Sequence, residues 1–84
     1  MAKNEFKIKN GALISGQVGI GTDSPSGSAA LEISSTTQGF LPPRMPDTEM
    51  NAISQPAEGL IVWNLDNKSL WAYDGSQWSK IAYV

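Results

Sequence analysis

The sequence predicts a mainly β fold with one short helix, in a chain that depends on association with other copies. The N-terminal half consists of short apolar pieces split by Gly, Ser and Thr, and the C-terminal third carries all three tryptophans and both tyrosines. A chain of 84 residues buries only about 60% of its unfolded surface when it folds alone. With no cysteine or histidine, disulfides and the usual zinc ligands are absent. Oligomerisation is the remaining way to stabilise so small a chain.

Residues 1–35 are predicted to be extended. The alternation in residues 6–9 predicts a strand, Asn10-Gly11 a turn, and residues 12–20 a second strand. Residues 19–28 carry Gly, Ser and Pro and predict a loop, and residues 30–34 alternate again, with Leu31 and Ile33 expected to point inward. These pieces are too short to form a core in one copy, so we expect this segment to intertwine with its neighbours through Val18, Ile20, Leu31 and Ile33.

Residues 36–84 are predicted to form a compact β-meander with a short helix near residues 47–54. Three prolines within residues 40–46 exclude a central strand and indicate an extended segment at an edge. Asp47 is the predicted helix cap, and Met50 and Ile53, three residues apart, are expected to pack against a sheet.

Three strands are predicted at residues 60–64, 70–73 and 78–84, with turns at residues 66–68 and 74–75. The first strand is apolar on both faces, with Leu60 and Val62 on one and Ile61 and Trp63 on the other. The helix can cover one face, and a neighbouring copy of the chain is expected to cover the second. The predicted core and interface comprises Leu60, Val62, Trp63, Trp71, Tyr73, Trp78, Ile81 and Tyr83.

Composition argues against several functions. Without His or Cys no Ser-His-Asp triad or cysteine nucleophile can form, so we predict no enzyme, no catalytic residues, no cofactor and no metal site. Six scattered basic residues against eight acidic ones predict no nucleic-acid ligand. No apolar run approaches the roughly 20 residues of a membrane span, and no signal peptide begins the chain, so a product made in the cytoplasm with no membrane partner is expected.

Two sharper functional hypotheses rest on the C-terminal third. Asp66 and Asp74 could act as a carboxylate pair or as calcium ligands, but both occur where turns favour Asp, so the turn interpretation is preferred. The rings beside them could form a sugar-stacking platform, although aromatic side chains dominate the cores of small domains. The rings concerned are Trp63, Trp71, Tyr73 and Trp78.

A family resemblance covers residues 18–78. Residues 18–25, VGIGTDSP, resemble an element common in phage tail-fibre and related surface proteins, where it lies in trimeric, intertwined shafts. The block that often follows it is similar to GFLPPRM at residues 39–45, PAEGLIVWN at residues 56–64 and YDGSQW at residues 73–78. The C-terminal hairpin also resembles the fibritin foldon, a small trimerisation module.

The resemblance implies a small intertwined homotrimer located in the virion. Because 84 residues are too few for an anchor, a shaft and a tip, we expect a complete gene product that decorates or cements the capsid, with capsid subunits as partners. A tail-fibre or spike trimerisation module, with glycan binding as a further function, is the alternative. Both are non-enzymatic structural roles.

Overall fold

A computed structural model describes residues 5–81 of the chain. The chain divides between Gly39 and Phe40 into two compact units. The N-terminal unit holds strands β1 (Val18–Ile20) and β2 (Leu31–Ile33). The C-terminal unit holds β3 (Arg44–Met45), helix α1 (Asp47–Asn51), β4 (Ile61–Asn64), β5 (Ser69–Tyr73) and β6 (Trp78–Lys80). The prediction of a mainly β fold with one short helix is confirmed.

Strands β1 and β2 form a two-stranded parallel sheet, which the sequence did not predict. Val18 pairs with Leu31 and Ile20 with Ile33, so residues 21–30 must cross from the end of one strand to the start of the next. The predicted strand at residues 6–9 is wrong, and so is most of the one at 12–20, since the described part of this region has only the three residues of β1 in a strand. Alternation over four residues does not form a strand without a partner strand.

The C-terminal unit is built on a four-stranded sheet in the order β3-β4-β5-β6. The predicted meander is confirmed, because β4, β5 and β6 pair antiparallel in sequence order. Strand β3 adds a fourth, parallel strand at the edge beside β4. Its position agrees with the edge expected for a proline-rich segment, and α1 makes the connection from β3 to the parallel strand β4.

Helix α1 is shorter than predicted and begins differently. It ends at Asn51, and Asp47 is its first residue and not its cap. Pro46 occupies the cap position and makes no side-chain hydrogen bond there. The amide of Asp47 instead donates to Asp66 Oδ2 at 2.9 Å, so a residue of the β4–β5 turn satisfies the helix start.

Candidate interaction surfaces

The parallel sheet gathers all four predicted intertwining side chains on one face. Paired residues point to the same side of a sheet, so the register places the four together and Gly19 and Glu32 on the opposite side. Within one chain this face is largely uncovered: Ile20 is 53% exposed, Leu31 52% and Ile33 36%. Leu31 and Ile33, which were expected to point inward, are therefore not covered by residues of their own copy. The face comprises Val18, Ile20, Leu31 and Ile33.

The crossover between β1 and β2 is fixed by polar contacts. Gln17 Nε2 donates to the carbonyls of Ser26 and Ala29 at 2.6 and 2.8 Å, and Glu32 Oε1 accepts from the Ser26 amide at 2.7 Å. These bonds hold residues 26–29 beside the strand pair, so the strands can stay in register without an intervening helix.

Two positions of this region require glycine because other residues lie too close to the backbone there for a Cβ atom. A Cβ on Gly19 would meet Pro25 Cγ at 2.9 Å. Gly21 has φ +80°, and a Cβ there would collide with the carbonyl oxygen of Ser34. Close packing against Pro25 and Ser34 therefore explains why positions 19 and 21 are glycine in this chain.

The four-stranded sheet has two apolar faces of different character. On the helix-covered face, Val62 is 2% exposed and Met50 of α1 is 1% exposed. The register places Trp71 opposite Val62, and Trp78 opposite Tyr73, on that same face. Tyr73 and Trp78 form an edge-to-face pair with ring centroids 5.4 Å apart. Met50 and Val62 are buried within a single copy, and Trp71, Tyr73 and Trp78 beside them are half-buried.

The opposite face, which we call the open face, has no covering element among the described residues of this unit. Trp63 pairs with Leu70 and with Arg44, so these three side chains project to the same side. They line a groove of about 640 Å³, and every residue that lines it except Arg44 is apolar. Phe40 is 68% exposed, and Ile61 on β4 is 42% exposed. The groove is lined by Phe40, Leu41, Pro42, Arg44, Ile61, Trp63 and Leu70.

The predicted core and interface set therefore divides between the two faces. Val62, Trp71, Tyr73 and Trp78 lie on the helix-covered face, and Leu60 shares it by alternation along the chain. Trp63 belongs to the open face, and Ile81, 41% exposed, lies beside Trp63 and Leu70 in an adjoining hollow. Tyr83 lies outside the described residues. Sequence reasoning missed Phe40, Leu41, Ile61 and Leu70 as groove residues, although the two-sided apolarity of residues 60–63 pointed to Ile61.

The same division separates the proposed sugar-stacking rings. Trp63 is on the open face, whereas the other three line a second cleft of about 480 Å³ on the helix side. Its rim is polar and includes Asn51, Ser76 and Gln77. The four rings do not form one platform.

Both aspartates considered for catalysis or calcium binding serve in turns. Asp74 Oδ1 accepts from the amides of Gln77 and Ser76, each at 2.8 Å, and these bonds lower the pKa of Asp74 below its ordinary value. Asp66 Oδ2 binds the Asp47 amide. Among residues 5–81 no group of three or more Asp, Glu, His or Cys could hold a metal ion. Over the same residues, no helix is long and apolar enough to cross a membrane.

A family described as phage tail like trimerisation region matches residues 19–83. The chain belongs to this family. The resemblance to phage tail-fibre-like trimeric proteins is thereby supported, and membership of a trimerisation family supports self-association as a homotrimer. No curated protein and no solved structure matches this trimerisation region.

Proposed function

We propose that the chain is the trimerisation module of a phage tail-fibre-like structural protein, with no catalytic role of its own. The observation that carries the proposal is the apolar surface that each unit leaves uncovered. Among the described residues, only Met50 and Val62 are buried apolar side chains, whereas Ile20, Leu31 and Phe40 are more than half exposed. Monomeric proteins rarely leave contiguous apolar patches in water, and burial between copies would remove them.

The family favours a tail location over the capsid-cement role that chain length first suggested. That expectation depended on the chain being a complete product, whereas the family description names a phage tail. As a tail module, the chain would hold three copies of a fibre in register. Linked binding sites then gain avidity from their effective concentration.

Sedimentation equilibrium on residues 1–84 tests the assembly. A mass three times 9.0 kDa is expected at micromolar chain concentration. A folded monomer at that concentration would refute the proposal.

The location is tested in a phage that carries the gene. Particles lacking the protein are expected to keep heat-stable heads and to lose tail fibres and adsorption to host cells. Particles that adsorb normally but release their DNA at lower temperature would instead establish the capsid-cement role.

Glycan binding is a second candidate function, and one observation favours it. The helix-side cleft combines the faces of Tyr73 and Trp78 with the exposed amide of Gln77, a pairing of apolar surface and polar groups suited to a sugar ring. Saturation-transfer NMR with host surface polysaccharide is expected to show contacts to protons of these rings. Transfer that is unchanged in Trp78→Ala would rule out this cleft.

A further inference from the structure

We infer that the open face of the C-terminal sheet, and not its helix-covered face, is the surface through which this unit packs against further copies of the chain. The inference rests on the proposed trimeric function and specifies where that function resides. Its central residues are Ile61, Trp63 and Leu70, and its margin is formed by Phe40 and Leu41.

The first argument is the contrast between the faces. The helix side is covered by α1, whose Met50 is 1% exposed, and what α1 leaves open there is the polar-rimmed cleft beside Tyr73 and Trp78. On the open side Phe40 and Leu41 are 68% and 67% exposed, and Ile61 is 42% exposed. Burying apolar surface yields about 25 cal/mol per Å², so in this sheet burial of the open face gains more free energy than burial of the helix-covered face.

The second argument is the chemistry of the groove. No acidic residue lines it, and its one charged residue, Arg44, is exposed, so the guanidinium can remain in water while the aliphatic stem contributes apolar surface. The backbone of β4 is paired on both sides by β3 and β5. A partner that binds in the groove therefore contributes apolar side chains and does not pair a strand with β4. A second copy of this chain offers such side chains, and the family match spans every residue of the groove.

The third argument concerns the sheet edge next to the groove. Pro42, Pro43 and Pro46 flank β3 and cannot donate backbone hydrogen bonds. Strand addition along β3 is thus obstructed, so a partner at this edge of the sheet packs onto the face. In a three-fold assembly each contact joins two different patches, so the groove of one copy receives a different part of the next copy.

The test compares two variants in which an exposed aliphatic side chain is replaced by Asp, one inside the groove and one outside it. Ile61→Asp places a charge in the groove, whereas Leu65→Asp places it in the β4–β5 turn, outside the groove, at a residue of similar exposure (45% against 42%). Sedimentation equilibrium is expected to show at least 100-fold weaker association for Ile61→Asp and wild-type association for Leu65→Asp. Equal masses for Ile61→Asp and wild type would overturn the inference.

A second variant covers the case in which Ile61→Asp does not fold. Phe40 and Leu41 lie outside the strands and helix and are mostly exposed, so we expect a variant with Ser at both positions to keep the fold of one copy. This double variant is expected to weaken association at least tenfold while near-ultraviolet circular dichroism retains the signal of the Tyr73–Trp78 pair. Unchanged association would refute the open face as the interface. A wild-type chain that is itself monomeric would refute the proposed function, so the two failures are distinguishable.

Discussion

The side-chain amide of Asn64 donates a hydrogen bond to Asp47 Oδ1 at 3.2 Å and thereby connects the end of β4 to the first residue of α1. Asn64 is fully buried. Its Oδ1 also accepts from the amides of Asp66 and Asn67 at 2.9 and 3.0 Å. One side chain thus fixes the β4–β5 turn and the helix that covers the sheet.

Replacing Asn64 tests this connection. Asn64→Ala removes three hydrogen bonds of a buried side chain, two to turn amides and one to Asp47, and we expect a loss of about 3 kcal/mol in the free energy of unfolding. Asn67→Ala is the matched control in the same turn, because its side chain is exposed, and a change within about 0.5 kcal/mol is expected. Urea unfolding at one fixed chain concentration measures both, since assembly makes stability depend on concentration. Equal losses in the two variants would show that Asn64 is not the connecting residue.

Gly21 tests the parallel pairing of β1 and β2. Gly21→Ala forces a Cβ onto the Ser34 carbonyl at φ +80°, and we expect a cost of at least about 1–2 kcal/mol. The amide of Ser34, which donates to the Ile20 carbonyl at 2.8 Å, is expected to lose protection from hydrogen exchange. Gly27→Ala serves as the control, because nothing lies within 4 Å of a Cβ at that position. Full protection of Ser34 in Gly21→Ala would contradict the parallel pairing.

Titration of Asp74 makes the stability of the protein depend on pH in the acid range. The amides of Gln77 and Ser76 stabilise its charged form, so the pKa of Asp74 is lower in the folded chain than its ordinary value of 3.8, which applies in the unfolded chain. Its contribution to stability is complete above that ordinary pKa and is lost as the pH falls through the lower folded-state pKa. Asp74→Asn keeps the accepting oxygen without the titration. Thermal unfolding between pH 2 and 5 is expected to show a shallower pH dependence in this variant, and identical slopes would contradict this role for Asp74.

Local patterns in the sequence were sufficient to predict the antiparallel meander. Residues 60–63 and 70–73 are apolar and rich in β-branched or aromatic side chains, and Asp-containing turns separate the three strands, so pairing between neighbours in sequence follows from local chemistry. The prolines around Arg44 likewise placed that segment at an edge, because proline cannot donate to a ladder. Membership of a phage tail-like trimeric family also agrees with what the sequence resembled.

Only the tertiary structure decided the contacts between residues distant in the chain. The parallel partners Val18 and Leu31 are thirteen residues apart, and the helix start is satisfied by Asp66, nineteen residues from Asp47, which no local pattern encodes. The division of the tryptophans has the same cause. Whether Trp63 or Trp71 faces the helix depends on which side of the sheet α1 crosses, and that is set by the connection from β3 to β4 and by the buried amide of Asn64. Alternation along a strand assigns residues to two faces, but it is the packing of another element that makes one of them the inside.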